Sequence, residues 1–160
     1  MASDMFIKLA SVPGESTDEK HPNEIDVLSW SWGMAQSSMQ GTGAGRGAGK
    51  VALDNLSFTH YLDKASPVLM RLCCSGDHVS EANLVMRLAG GKQLEYLKIK
   101  LEEVLISNVS VSGGAGDKAT ESVTLGFAKV KLDYYPQNAK GALDAAVPYG
   151  WDMQKNVKTA

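Results

Sequence analysis

A glycine-rich segment at residues 41–50, which reads GTGAGRGAGK, is the part of the sequence that most suggests phosphate binding. A Walker-type loop ending at Gly49 and Lys50 needs glycine at position 44 and serine or threonine at position 51, where the chain has Ala44 and Val51. The dinucleotide pattern GxGxxG fails in every register of the segment. Both motifs also lead into a helix, whereas residues 51–60 alternate like a strand. The sequence therefore predicts a flexible or extended loop over about residues 37–50 and no nucleotide cofactor.

Histidine, cysteine and serine residues form no pattern that supports catalysis or metal binding. His21, His60 and His78 are far apart in the chain, and no Cys-x-x-Cys pair is present. Cys73 and Cys74 are neighbours, so a bridge between them would distort the intervening peptide, and both are expected to be free thiols, as in a reducing cytoplasm. No nucleophile signature such as GxSxG occurs. We therefore expect a protein that is not an enzyme and that holds no metal or cofactor.

Length and charge narrow the class of protein further. The chain has 160 residues with 44% hydrophobic and 21% charged residues, which is typical of one soluble domain. A formal net charge of −2 argues against binding nucleic acid through bulk electrostatics. The N-terminus lacks the basic start and long apolar core of a signal peptide, and no apolar run is long enough for a membrane anchor.

Alternation of apolar and polar residues predicts that β-strands dominate the fold. The clearest strand has Leu97, Ile99 and Leu101 on one face. Beyond Glu103, where we expect a bulge, Val104 and Ile106 are apolar on the other face. That stretch is either buried on both sides or lies at a subunit contact.

Two further features complete the predicted fold. Residues 121–135 change phase, which indicates a bulge near residues 128–129. A short helix over about residues 66–75 is indicated by Ser66 as a cap, Pro67 in the first turn and Gly76 after the end. Residues 1–160 are therefore expected to form a single, mostly β domain, a barrel or sandwich of two packed sheets with one short docked α-helix.

Residues 28–32 point most directly to a functional surface. On a strand, Leu28, Trp30 and Trp32 share one face, and the two tryptophans are expected to anchor the core. Ser29 and Ser31 take the opposite, wet face, which faces either ordinary solvent or a water-filled passage.

The chain resembles the Hcp family of bacterial type VI secretion proteins through short segments that occur in the same order along the sequence. These segments are DMFIK (4–8), GES (14–16), EIDVL (24–28), WSWG (30–33), GAGK (47–50), LSFT (56–59), DK (63–64), SP (66–67), SG (75–76), EYL (95–97) and YGWD (149–152). Each segment alone is weak, but their shared order covers essentially the whole chain.

The resemblance implies a β-barrel with one helix that assembles into a six-membered ring. Such rings stack into a tube, which a contractile sheath expels together with a spike protein, and effectors travel in the lumen. Export by expulsion would explain a protein that is cytoplasmic before firing and extracellular afterwards without a signal peptide. The implied partners are other copies of the chain, effectors, the spike and the sheath.

Within this interpretation, three groups of residues become candidate sites. Ser29 and Ser31 are expected to line the lumen, because the tryptophans take the core. Val104 and Ile106 are candidates for the subunit interface. The loop is the candidate for ring stacking, since glycine allows close backbone approach and Arg46 could pair with an acid; its residues are Gly43, Gly45, Arg46 and Gly47. A loop that orders only on stacking is the competing interpretation.

Two other functions fit the same sequence. One is a stand-alone secreted effector or host-interacting factor that acts after release. The other is a bacteriophage tail-tube subunit, which shares the architecture.

Overall fold

The computed structural model describes residues 3–37 and 49–160. Twelve strands and one helix make up the described chain, which confirms the prediction of a mostly β fold with one short helix. In chain order, the elements are β1 (Ser3–Leu9), β2 (Ile25–Asp26), β3 (Ser29–Ser31), β4 (Met34–Ala35), β5 (Ala52–Leu53), β6 (Leu56–Tyr61), α1 (Ser66–Ser75), β7 (His78–Leu88), β8 (Glu95–Ser112), β9 (Thr120–Gly126), β10 (Lys129–Tyr134), β11 (Val147–Asp152) and β12 (Val157–Lys158).

The strands form an antiparallel system that bends around one core. One path runs β12-β11-β10-β8-β7-β1-β2, and a second runs from β8 through β9 and β6 to β3. β2 and β3 follow each other in the chain but do not pair, so the predicted barrel is open rather than closed. The two strand paths form two layers, and the chain passes from one layer to the other between β2 and β3. The Val27 amide donates to the Met5 carbonyl of β1, and the Leu28 amide donates to the Thr59 carbonyl of β6.

The long strand β8 belongs to both layers. Its first half pairs with β7 and β10, and its second half pairs with β9. Glu103, at the predicted bulge, has φ 53°, a left-handed conformation that turns the strand at this point. Ile99 and Leu101 point to the core before this turn, and Val104 and Ile106 do so after it.

Val104 and Ile106, predicted to be either buried on both sides of the strand or at a subunit contact, are buried within the chain. Their relative exposures are 0% and 2%, and both belong to the hydrophobic core of the chain itself. Side chains that are already buried within one chain offer no surface to a neighbour. The apolar residues change face after Glu103 because the strand changes direction there.

A similar change of phase occurs between β9 and β10. Val123 and Leu125 are buried in β9, and Val130 is buried in β10. The two strands are separated at residues 127–128, so the predicted irregularity is an interruption between strands rather than a bulge within one strand. This interruption lies beside the turn at Glu103 in β8. The two neighbouring segments therefore bend around the core at the same point.

Helix α1 packs over the core through Leu69, which is fully buried. Ala65 occupies the N-cap position without a side-chain cap, so Ser66 is the first helical residue rather than the predicted cap. In the turn before the helix, the Asp63 carboxylate accepts from the Ala65 amide at 2.9 Å. The Ser66 hydroxyl accepts from the Asp63 amide at 3.2 Å, which closes the turn reciprocally. Gly76 ends the helix at φ 74°, a conformation that glycine adopts without strain.

Candidate functional site

The segment around the two tryptophans places Ser29 and Ser31 on the outside of β3. Both serines are exposed, whereas Trp30 and Trp32 are half-buried against the core. The Trp30 indole N–H donates to the Met86 sulfur at 3.0 Å. Leu28 does not share the tryptophan face, since it is 44% exposed. The alternation predicted for residues 28–32 therefore holds only from Ser29 onward, after the chain has joined β6.

Neighbouring strands extend the outer surface of β3 into a continuous polar face. The register aligns Ser29 with Thr59, Ser122 and Ser110 in one row across four strands. It aligns Ser31 with three partners in a second row, which are Ser57, Thr124 and Asn108. We call these eight side chains the hydroxyl face. None of the eight is charged, and seven of them carry a hydroxyl group.

Hydrogen bonds between strands order the hydroxyl face. The hydroxyls of Ser29 and Thr59 lie 2.6 Å apart, and those of Ser57 and Thr124 lie 3.0 Å apart. A shallow depression of about 170 Å³ opens between these rows, with Trp30 and Phe58 at its base. Each hydroxyl still has lone pairs free for a further partner. The surface is therefore ordered and nearly flat, and it can form further hydrogen bonds.

A buried ion pair lies behind the hydroxyl face. His60 and Glu121 are directly opposite in β6 and β9, and the imidazole Nε2 lies 2.8 Å from the Glu121 carboxylate. Asp63 lies 3.8 Å from the other ring nitrogen. Burial acts against the charged imidazole, but the contacts with Asp63 and Glu121 outweigh it and raise the pKa of His60. This pair couples the lining strands to the start of α1.

The four-stranded layer that carries the hydroxyl face has a free edge on each side. Within residues 3–37 and 49–160, β3 pairs only with β6. β7 begins at His78, opposite Leu105, so among the described strands the part of β8 from residue 106 to Ser112 pairs only with β9. Unpaired strand edges carry backbone donors and acceptors that can pair with another chain.

The other layer presents a surface of opposite chemical character. Its outward side chains on β7, β8 and β10 form what we call the charged face, which comprises Glu81, Lys98, Lys100, Glu102, Lys129, Lys131 and Asp133. Lys100 lies 3.3 Å from Glu81 and 3.7 Å from Glu102, and Lys131 lies 3.6 Å from Asp133. Interleaved charges of both signs therefore cover this face.

The predicted stacking residues Gly43, Gly45, Arg46 and Gly47 lie outside the described residues. The described chain on either side forms the small β4–β5 ladder, in which Met34 pairs with Leu53. Trp32 secures this ladder by donating its indole N–H to the Asp54 carbonyl at 2.9 Å. The ring of Trp32 also packs against Phe127 and Tyr149, each at a centroid distance of 6.2 Å.

Comparisons with known proteins identify the family. A model described as "Type VI secretion system effector, Hcp" matches residues 6–134. The chain belongs to the Hcp family. It is 55% identical over 161 residues to "Protein hcp1" of Pseudomonas aeruginosa, with 99% of each chain covered.

Solved Hcp structures share the fold over nearly the whole chain. Hcp1 from Salmonella typhimurium is 40% identical with a TM-score of 0.83, covering 99% of this chain and 100% of that one. A type VI secretion system effector from Yersinia pestis is 35% identical with a TM-score of 0.78, covering 93% and 99%. Membership in this secreted, structural family fits a tube subunit and does not favour the two alternative functions.

The sequence alone predicted two of the eight residues of the hydroxyl face, Ser29 and Ser31. The six missed residues share a weak signal, which is polar residues at alternate positions of three other strands: Ser57, Thr59, Asn108, Ser110, Ser122 and Thr124. Only the strand order, which brings β8, β9, β6 and β3 side by side, shows that these segments form one surface.

Two further observations on the described residues concern metal binding and membrane-spanning helices. No group of three or more His, Cys, Asp or Glu side chains is placed to hold a metal ion in this part of the chain. None of the described helices is both long and apolar enough to cross a membrane.

Proposed function

We propose that this chain is the subunit of a six-membered ring and that stacked rings form the inner tube of a type VI secretion apparatus. The observation that carries the proposal is the hydroxyl face with a free strand edge on each side. The two edges differ, since one is the short β3 and the other is the second half of β8. Different edges suit head-to-tail contacts, which close into a ring when the rotation between subunits allows it.

In the proposed ring, the β8 edge of one subunit pairs with the β3 edge of the next. Main-chain hydrogen bonds then replace those that the edges make with water. The hydroxyl faces of adjacent subunits become neighbours and form one continuous lining. The interface thus uses the backbone of the strand that contains Ile106, although the side chains of Val104 and Ile106 remain in the core.

The lining so formed suits the passage of folded effectors. Ser29 and Ser31 lie beside the seam between adjacent subunits in this arrangement, and their small side chains leave the passage open. Uncharged hydroxyls hydrogen-bond to a protein surface without attracting or repelling its net charge. The proposal assigns no catalytic step, no nucleic acid and no membrane anchor to the chain.

Along the tube axis, a second contact must repeat rather than close. We keep the loop with Arg46 and its neighbouring glycines as the candidate for this contact, since the β4–β5 ladder at its base is fixed to the core by Trp32. The sheath, the spike and effectors complete the proposed partners. The subunit resides in the cytoplasm until the tube is expelled.

Electron microscopy of the purified protein tests ring formation, and we expect ring-shaped particles with six subunits each.

A matched pair of variants, Ser110→Pro and Val111→Pro, tests the β8 edge. Alternate amides of an edge strand face opposite sides, so one proline removes a donor on the free edge and the other removes a donor to β9. We expect one variant to remain folded but to lose rings. If both variants are folded and both form rings, the β8 edge is not the interface.

Effector retention tests the lumen assignment. Ser31→Gln places a bulky side chain on the hydroxyl face, and we expect intact rings that no longer co-purify effectors. The control is Lys131→Gln on the charged face, which is expected to retain them. Normal retention by Ser31→Gln rings would remove Ser31 from the lumen.

A further inference from the structure

A cluster of charged side chains lies where the segment between β1 and β2 folds back over the sheet, and Lys98 of the charged face borders it. The ring of Phe6 forms its centre. The guanidinium of Arg87 lies 4.9 Å from the centre of this ring, and the imidazole of His21 stacks on the ring at 4.5 Å with an interplanar angle of 12°. His21 comes from the connecting segment, and Arg87 comes from β7.

The first attachment of this segment runs through Arg87 and does not depend on pH near neutrality. The Arg87 side chain is 3% exposed and donates to the carboxylates of Asp4 and Asp18. The hydrogen bond from Arg87 is the main reason why the pKa of Asp18 is lowered to about 2. Arginine stays protonated in proteins. This attachment is therefore permanent under physiological conditions.

The second attachment runs through His21 and requires a proton. Nδ1 of His21 lies 2.9 Å from the Glu24 carboxylate, and Nε2 lies 2.7 Å from the Glu95 carboxylate of β8. An ionised carboxylate only accepts hydrogen bonds, so both contacts need an N–H on the ring. A neutral imidazole has one N–H, and imidazolium has two. Only imidazolium can satisfy both carboxylates in this geometry.

Glu95 is ionised in this arrangement despite its partial burial. Burial acts to raise the pKa of Glu95, but the hydrogen bond and charge of His21, together with the charge of Lys98, lower it overall. Lys98 lies 3.4 Å from the Glu95 carboxylate. The Phe6 ring stacks on the imidazole, and Arg87 lies against the same Phe6 ring. The Asp18 carboxylate, which Arg87 holds, accepts from the His21 backbone amide at 3.1 Å.

We propose that His21 is a proton-dependent clasp that fixes residues 18–24 to β8. When His21 loses its proton, one of its two carboxylate contacts faces a ring lone pair instead of an N–H. Loss of the Glu95 contact detaches the segment from β8, and loss of the Glu24 contact opens the turn of the segment itself. Arg87 holds the Asp18 end in either case, so the change is local.

The clasp controls a piece of outer surface. Glu19, Lys20, Pro22 and Asn23 are exposed on the segment that His21 secures. These residues present a fixed surface while His21 carries its proton and a loosened surface after its loss. This behaviour follows from the chain alone and does not depend on ring formation.

Hydrogen exchange at a series of pH values tests the clasp on the intact protein. The carbon-bound proton signals of the His21 ring report the protonation state of the imidazole directly at each pH. Across the pH series, we expect the protection factors of the amides of residues 20, 21, 23 and 24 to fall at least fivefold, after correction for intrinsic exchange. The protection of β1 amides should stay unchanged. Constant protection of residues 20, 21, 23 and 24 while His21 titrates would overturn the proposal.

Two variants make the test independent of any one substitution. Glu95→Gln replaces an obligatory acceptor by an amide that can donate or accept, so we expect the fivefold change to disappear. His21→Gln should give low protection at every pH. His78→Gln, which alters an exposed histidine, should keep the change. Persistence of the pH-dependent change in Glu95→Gln or His21→Gln, or its loss in His78→Gln, would assign it to another group.

Discussion

The hydroxyl face and the charged face lie on the same strand system, yet their surface chemistry differs completely. Both cover the same core and both draw outward side chains from β8, with Ser110 on one and Lys100 on the other. The hydroxyl face is held by short neutral hydrogen bonds between side chains, such as that between Ser57 and Thr124. The charged face is held by ion pairs in contact with water, such as that between Lys100 and Glu81.

This difference teaches that the fold and the surface are specified by separate residues of the same strands. Inward positions are mostly apolar beneath both faces, apart from His60 and Glu121 behind the hydroxyl face, so the core does not determine what lies outside. The charged face has a field that reaches about 10 Å at moderate salt. The hydroxyl face acts only at contact distance.

The largest difference in lost folding free energy is expected between a variant that breaks a buried ion pair and one that breaks an exposed ion pair. Glu121→Ala leaves the His60 imidazole without its main carboxylate in a site where both side chains are at most 1% exposed. Breaking such a pair costs about 3–5 kcal/mol of folding free energy. Glu102→Ala on the charged face breaks a pair in which both side chains are over 40% exposed, and it is expected to cost about 0–1 kcal/mol. Urea unfolding of both variants measures the contrast.

A double variant sharpens this first test. Replacing His60 and Glu121 together by leucine removes both buried charges, and we expect most of the stability to return because no charge is left without a partner. Equal losses for Glu121→Ala and Glu102→Ala would contradict the contrast between the two regions.

The next effect concerns the core that both faces share. Ile106→Ala removes a side chain that is 2% exposed, and it is expected to lose about 2–5 kcal/mol of stability even in the isolated subunit. Val111→Ala, at an apolar residue that is 47% exposed on the same strand, is the control and should cost below about 1 kcal/mol. An Ile106→Ala subunit as stable as wild type, with rings alone weakened, would restore the interface assignment.

A pH dependence is expected from the region behind the hydroxyl face. The folded-state pKa of His60 is raised, with burial opposed by Asp63 and Glu121. The resulting stability is therefore fully present below the ordinary histidine pKa of about 6.5 and is lost as pH rises through the higher folded value. Urea midpoints from pH 5.5 to 9 should fall over this window. The part of the fall due to His60 should vanish in Glu121→Gln; an identical fall in that variant would exclude it.

The smallest effects are expected at single surface side chains. Ser57→Ala removes the half-buried hydroxyl pair with Thr124 and should cost about 1 kcal/mol. Lys131→Ala removes an exposed ion pair with Asp133 and should change stability by about 0.5 kcal/mol or less. Added salt should reduce the Lys131 effect and leave the Ser57 effect unchanged. Thermal unfolding at low and high salt distinguishes the two, and a salt-dependent Ser57 effect would contradict the comparison.

The sequence carries the local information of this fold well. Apolar alternation locates β6, β8 and β9, and the Pro67 and Gly76 signals locate α1. The irregularities near Glu103 and Ala128 are also visible, because a change of phase must occur where a strand turns around a core. These features depend on residues that are neighbours in the chain.

Features that depend on distant residues could not be obtained in this way. An apolar Val104 and Ile106 look the same in sequence whether a strand changes direction or meets another subunit. Leu28 appeared to share the tryptophan face because a chain can change layers between two strands without any marker in its alternation. The hydroxyl face needed the order of four strands, which single-sequence periodicity does not contain.

The length of β8 has a mechanical consequence. Its 18 residues, at about 3.3 Å each, give about 60 Å of extended chain that no loop interrupts. Force applied at Ser110 reaches Lys100 through covalent bonds and does not depend on hydrogen bonds that could shear. Stress would therefore pass from the hydroxyl face to the charged face along a single strand.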